Sequence, residues 1–161
     1  MLEEYGRILI AAALSWILFV SVDVFWRLPE KGGVSGAKAI GELIARRGGD
    51  RNGGWMMGNI VSSPDASAGT LLAACGVFVA GIPGGIAAAL LVFIGNRICH
   101  DPGYAGTTGA LIATGIIALS MQSGFMPSDF IVGTVIAILT IQGLSLTKAS
   151  HLLGIFWRWR A

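Results

Sequence analysis

Charge is what this chain has least of. Asp, Glu, Lys and Arg make up 12% of its 161 residues, against the roughly 25% of a soluble domain, and that shortage excludes an ordinary water-facing surface. Cysteine is nearly absent as well. Cys75 and Cys99 stand in the middle and at the end of an apolar run, so no disulfide framework is expected. The two histidines, His100 and His151, fall in peripheral segments. The apolar segments hold no histidine pair, carboxylate pair, lysine nucleophile or Ser-His-Asp set at a spacing that acid–base or nucleophilic catalysis uses. The chain is therefore not expected to catalyse alone, and no metal or organic cofactor is expected. A net charge of +2 is too small to suggest a nucleic-acid partner. An autonomous ion pump is disfavoured too, because a proton relay needs several ionisable groups through the bilayer and Asp23 is the single acid embedded in an apolar run.

What fills the chain instead is apolar and small. Hydrophobic residues make up 54%, glycines number 24, and mean hydropathy is +0.73. Glycine costs about 1 kcal/mol relative to alanine in a soluble helix, whereas transmembrane helices use it for close packing. The reading is an all-α, integral, multi-pass protein of the cell membrane, a single domain over 1–161 with about four transmembrane helices. Apolar segments run over about 8–26, 67–96, 104–121 and 130–146, with a polar loop over 27–65 and an interfacial tail over 148–161.

The organising stretch is Ala66 to Asn96, thirty-one residues without a charge, broken near its middle by G-I-P-G-G at Gly81 to Gly85. Gly76, Ala80, Gly84 and Ala88 recur every four residues, and Gly81, Gly85 and Ala89 repeat the pattern one step round. On a continuous helix this makes a packing face that another helix can approach closely. In the first segment Asp23 precedes Arg27 by four residues, which suits an interfacial ion pair with Arg27 reaching to water; the sharper alternative places Asp23 on an ion path. The polar loop carries six of the eleven Lys and Arg, and should face the cytoplasm. Within it Ser35 can cap a short interfacial helix bearing Ile40, Leu43 and Ile44 on one face. The glycine-rich Gly48 to Gly54 reads as a turn, since a calcium loop would put its bidentate acid at Val61. Cys99, His100 and Asp101 are sequence neighbours that point different ways, which suits a solvated loop better than a metal site. Pro127-Ser128-Asp129 fits a helix N-terminus. At the end, Trp157, Arg158, Trp159 and Arg160 form an interface anchor among lipid head groups.

Two topologies compete for the central stretch. A single crossing divides the Lys and Arg six against five between the two sides, whereas a hairpin that returns at G-I-P-G-G divides them ten against one. The hairpin obeys the positive-inside rule. Yet its arms are short for separate spans, and a proline-kinked single crossing is the commoner arrangement, so the kinked crossing is expected.

The region from Asp65 to Met121, with LLAACGVFVAGIPGGIAAALLVFIGNRICHDPGYAGTTGALIATGI and its G-N-R and D-P-G breaks, resembles small polytopic membrane subunits of methanogenic archaea, above all those of the Eha-type energy-converting [NiFe] hydrogenase. It is similar in style to integral subunits of the tetrahydromethanopterin S-methyltransferase. The first resemblance implies an accessory subunit of an ion-translocating redox complex, with nickel, iron-sulfur clusters and ion-pumping side chains on other subunits. It also implies membrane and peripheral subunits as partners. The alternatives are a small self-associating channel or transporter, or an integral subunit of a methyltransferase-type sodium pump.

Overall fold

The computed structural model describes residues 2–26, 64–98 and 104–144. These form four helices and no strand: α1 (Leu2–Trp26), α2 (Pro64–Ile98), α3 (Ala105–Met121) and α4 (Pro127–Leu144). By length and composition, the stretch Ala66–Ile98 is the one described helix long and apolar enough to cross a membrane, α3 and the apolar part of α4 being shorter.

That long helix is not straight. Ala80 (φ −137°, ψ 20°) and Gly81 (φ 64°, ψ −157°) leave the helical region, and the Gly81 conformation is one that a side chain at Cβ would strain. Pro83 follows, which biases Ile82 away from helix. Its missing N–H falls in the first turn of the second arm, where donors have no intrahelical acceptor in any case. A Cβ added at Gly76 would strike the carbonyl oxygen of Gly84, and one added at Gly84 would strike that of Gly76. Residues eight apart on a continuous helix are separated by about 12 Å, so the chain has doubled back.

The ends of α2 show the same reversal. A Cβ at Gly109, near the start of α3, would lie 2.9 Å from the Ala66 carbonyl oxygen. Arg97, at the far end of α2, donates to the Tyr104 hydroxyl at 2.6 Å, also at the start of α3. A straight helix of 35 residues would hold its ends about 50 Å apart. The expected single kinked crossing is thus replaced by a helical hairpin with arms over 64–79 and 82–98. The reason is that Gly81 supplies a positive φ, which permits reversal where proline alone would only bend the helix.

The hairpin makes five rods from four helices, each antiparallel to its predecessor. Leu18 and Val22 of α1 cluster with Ala66 and Ala73 of the first arm and with Ala105, Ala110 and Ala113 of α3. Ala11, Ala74, Val77, Ile117 and Phe130 form a second cluster nearer the corner. The α3–α4 turn closes with a Schellman-type cap: Gly124 takes φ +84°, its N–H reaches Met121 O at 3.2 Å, and Phe125 N–H reaches Ser120 O at 3.3 Å.

The interior is built from small residues and the exterior from large ones. Most buried apolar residues are alanines, whereas Leu9, Ile17, Phe78, Val79, Leu91 and Leu139 are exposed. Burying small residues lets backbones approach, which is how helices associate where lipid removes the hydrophobic driving force.

Candidate functional site

The most polar place in the described interior is the seam between α1 and α4, which run parallel. It opens with Arg7, whose Nε donates to Asp129 Oδ2 at 3.0 Å. The Asp129 side chain is only 6% exposed and that of Arg7 29%. Local sequence explains why the carboxylate is there. Pro127 begins α4 and Asp129, at the third helical position, reaches back to accept from the Met126 N–H at 2.9 Å, the half of a capping box that the acid supplies. The cap turns the carboxylate toward α1, and Arg7 neutralises it. Two turns further along α1, the Ser15 and Thr134 hydroxyls share a hydrogen bond of 2.9 Å. A Cβ at Gly133 would lie 2.7 Å from the Ala12 nitrogen and 2.8 Å from Ala11 Cβ; glycine is what allows α1 and α4 to come close enough for those hydroxyls to meet.

A cavity of about 10 Å³ adjoins this seam, lined by Leu14, Ser15, Leu18, Thr70, Ala113, Ile116 and Phe130. It is room for one water at most. Thr70 and Thr114 return their hydroxyls to the carbonyls of Ala66 and Ala110, each at 2.8 Å, so neither offers an activated nucleophile. Among the described residues no group of three His, Cys, Asp or Glu side chains is placed to hold a metal ion.

The second polar feature is Arg97 at the end of α2, exposed. Its guanidinium lies 5.3 Å from the Phe93 ring centroid and 5.4 Å from that of Tyr104. Two aromatic faces and a hydroxyl thus orient one cation at the level where the apolar surface of the hairpin stops.

The residues singled out in the sequence are distributed unevenly over this geometry. Gly76 and Gly84 touch each other inside the hairpin and do not lie in line on one helix. Ala80 is exposed at the corner, with Gly81 beside it in positive φ. Ala88 and Ala89 are buried, and a Cβ at Gly85 would lie 2.5 Å from Thr114 Oγ1, so the second arm packs its small residues on α3. Asp23 belongs to α1 by its backbone, but its side chain lies outside the described residues. So do Arg27, the interfacial helix around Ile40, Leu43 and Ile44, the Cys99-His100-Asp101 segment, and the anchor of Trp157, Arg158, Trp159 and Arg160.

Sequence reading missed the Arg7–Asp129 pair. In the sequence Asp129 is accounted for by the start of α4, and nothing local ties it to Arg7, 122 residues away. The available signal was weak: an acid at the third helical position after Pro127, and a lone cation one turn inside α1.

Residues 4–160 match the EhaB-like family. The chain belongs to the EhaB-like family. No curated protein and no solved structure matches it. The family match agrees with the resemblance to Eha-type subunits and supports, for this EhaB-like chain, a place in an energy-converting hydrogenase-type complex and association with a membrane.

Proposed function

We propose that this EhaB-like protein is an integral, multi-pass accessory subunit of an ion-translocating, energy-converting hydrogenase-type complex, with no catalytic centre of its own. The observation that carries the reading is the inverted bundle: mostly alanine among the buried apolar residues, and large apolar side chains exposed on every helix. Such a surface matches hydrocarbon. Most of the described polar side chains inside are neutralised or bonded, as in Arg7–Asp129 and Ser15–Thr134, the buried Thr107 hydroxyl being the exception. That pattern holds helices together and is poorly suited to passing ions. The subunit's contribution is then to position neighbouring membrane subunits, and its lipid- and partner-facing surfaces are the same apolar exterior.

Purification of the parent complex in mild detergent, followed by identification of co-migrating chains, tests this reading. The expected result is a stoichiometric association with hydrogenase-type subunits. Only homo-oligomers, with cross-linking in native membranes giving self-ladders and no heterologous partner, would replace it with the self-associating channel.

A further inference from the structure

The hairpin decides which helix ends lie together, and that carries a conclusion about orientation. Val77 packs in one cluster with Ala11, Ile117 and Phe130. One turn beyond each of these lie, respectively, the Ala80–Gly81 corner, Arg7, and the α3–α4 turn; Phe130 itself adjoins Asp129. These features share one end of the bundle. The other end gathers Trp26, Pro64, Ile98 and Tyr104, as the Leu18–Val22–Ala66–Ala105 cluster and the Arg97–Tyr104 bond require, and Leu144, because α4 runs parallel to α1 through the Arg7–Asp129 and Ser15–Thr134 bonds. The sequence from Trp26 to Pro64, from Ile98 to Tyr104, and onward from Leu144 therefore leaves or rejoins the bundle at this second end.

Charge follows that partition sharply. Arg27, Lys31, Lys38, Arg46, Arg47 and Arg51 fall between Trp26 and Pro64; Arg97 closes α2; Lys148, Arg158 and Arg160 follow Leu144. These are ten of the eleven cations. The eleventh, Arg7, is at the corner end, where Asp129 already neutralises it and where Glu3 and Glu4 also stand. α1 has 25 residues and is long enough to cross with some tilt, whereas the other four rods are shorter and of similar length. The 17 residues of α3 rise about 25 Å, and the arms over 64–79 and 82–98 are comparable, near the lower limit for crossing a bilayer.

We infer that the chain crosses the membrane five times, with the Trp26–Pro64–Arg97–Leu144 end in the cytoplasm and the Arg7–Asp129 end, the hairpin corner included, at the opposite face. The inference rests on the membrane reading above. The positive-inside rule selects this orientation because cations near span ends are retained on the cytoplasmic side. It also places the basic segments where peripheral cytoplasmic subunits and anionic head groups are met.

The experiment uses the full chain with Cys75 and Cys99 replaced by serine. Spin labels at Ala68→Cys and Ile98→Cys, measured in liposomes, should lie within about 25 Å of one another, whereas a single crossing would separate them by about 45 Å. In intact cells, a membrane-impermeant maleimide should label Ser123→Cys directly and Ile98→Cys only after permeabilisation. A long spin–spin distance overturns the five crossings, and labelling of Ile98→Cys but not Ser123→Cys in intact cells overturns the orientation. Carbonate extraction separates the underlying reading. Release into the supernatant defeats the integral-membrane assignment and the inference with it, while retention in the pellet with reversed labelling defeats the orientation alone.

Discussion

Asp129 shows how one side chain can serve two elements. It caps α4 through Met126 N–H and binds α1 through Arg7. Removing it leaves Arg7 without its carboxylate and the first turn of α4 without its acceptor. Fully buried pairs cost 3–5 kcal/mol when broken, but Arg7 is partly exposed and its water contact reduces that penalty. Asp129→Ala is expected to destabilise the protein by about 1–3 kcal/mol, read as a shift in the denaturation midpoint in mixed micelles. Arg7→Gln in the Asp129→Ala background should then add little, because coupled partners are not additive; full additivity would show that the two do not interact. Ser15→Ala is expected to cost less, about 0.6 kcal/mol, the size of an average interhelical hydrogen bond in membrane proteins. For Asp23 the expectation remains an interfacial partner of Arg27, so Asp23→Asn should leave assembly and ion coupling of the parent complex intact. Loss of coupling with assembly preserved would make it an ion-path residue.

At the scale of the element, the hairpin of α2 depends on glycine at three places. Gly81 adopts φ 64°, and Gly81→Ala should cost about 1–3 kcal/mol from backbone strain alone. Gly76 and Gly84 hold the arms at backbone contact. A stripe on a straight helix would make Gly76→Leu with Gly84→Leu a partner-release variant, leaving the chain itself stable. The reversal changes that expectation. The double variant should wedge the arms apart and lower the stability of the isolated chain, since neither carbonyl can move without shifting its helix. Thermal unfolding of the purified subunit, free of partners, measures the effect. An unchanged midpoint would show that the arms do not pack as described. Gly69 is subject to the same test, because its Cβ would strike the Gly106 carbonyl oxygen and separate the first arm from α3.

For the whole molecule, close packing of α2 against α3 and of α1 against α4 creates two tight seams in one small bundle. Both use the same device, a glycine on one helix facing backbone on the other: Gly69 and Gly106, Gly133 and Ala12. The outer arm over 82–98 presents Ile82, Ile86, Leu90 and Ile94 outward. The core is thin, so the chain gains little from burying apolar area and depends on backbone approach and a few polar bonds.

Composition alone pointed to helices packed through small residues. Twelve per cent charge and 24 glycines are far from the makeup of an ordinary water-facing domain, and the described residues are helical throughout their elements. The family resemblance was also legible, in the stretch Asp65 to Met121. Local grammar placed the start of α4 at Pro127 and the break at G-I-P-G-G, because proline and glycine act within a turn of where they stand. Only the tertiary structure decided that the break reverses the chain. Proline after glycine permits either a kink or a hairpin, and the choice is made by contacts far away in sequence, Gly76 with Gly84, Ala66 with Gly109, and Arg97 with Tyr104. The Arg7–Asp129 pair belongs to the same category. A hydrophobic pattern records which face of a helix is buried, but it carries no information about which helix will cover it.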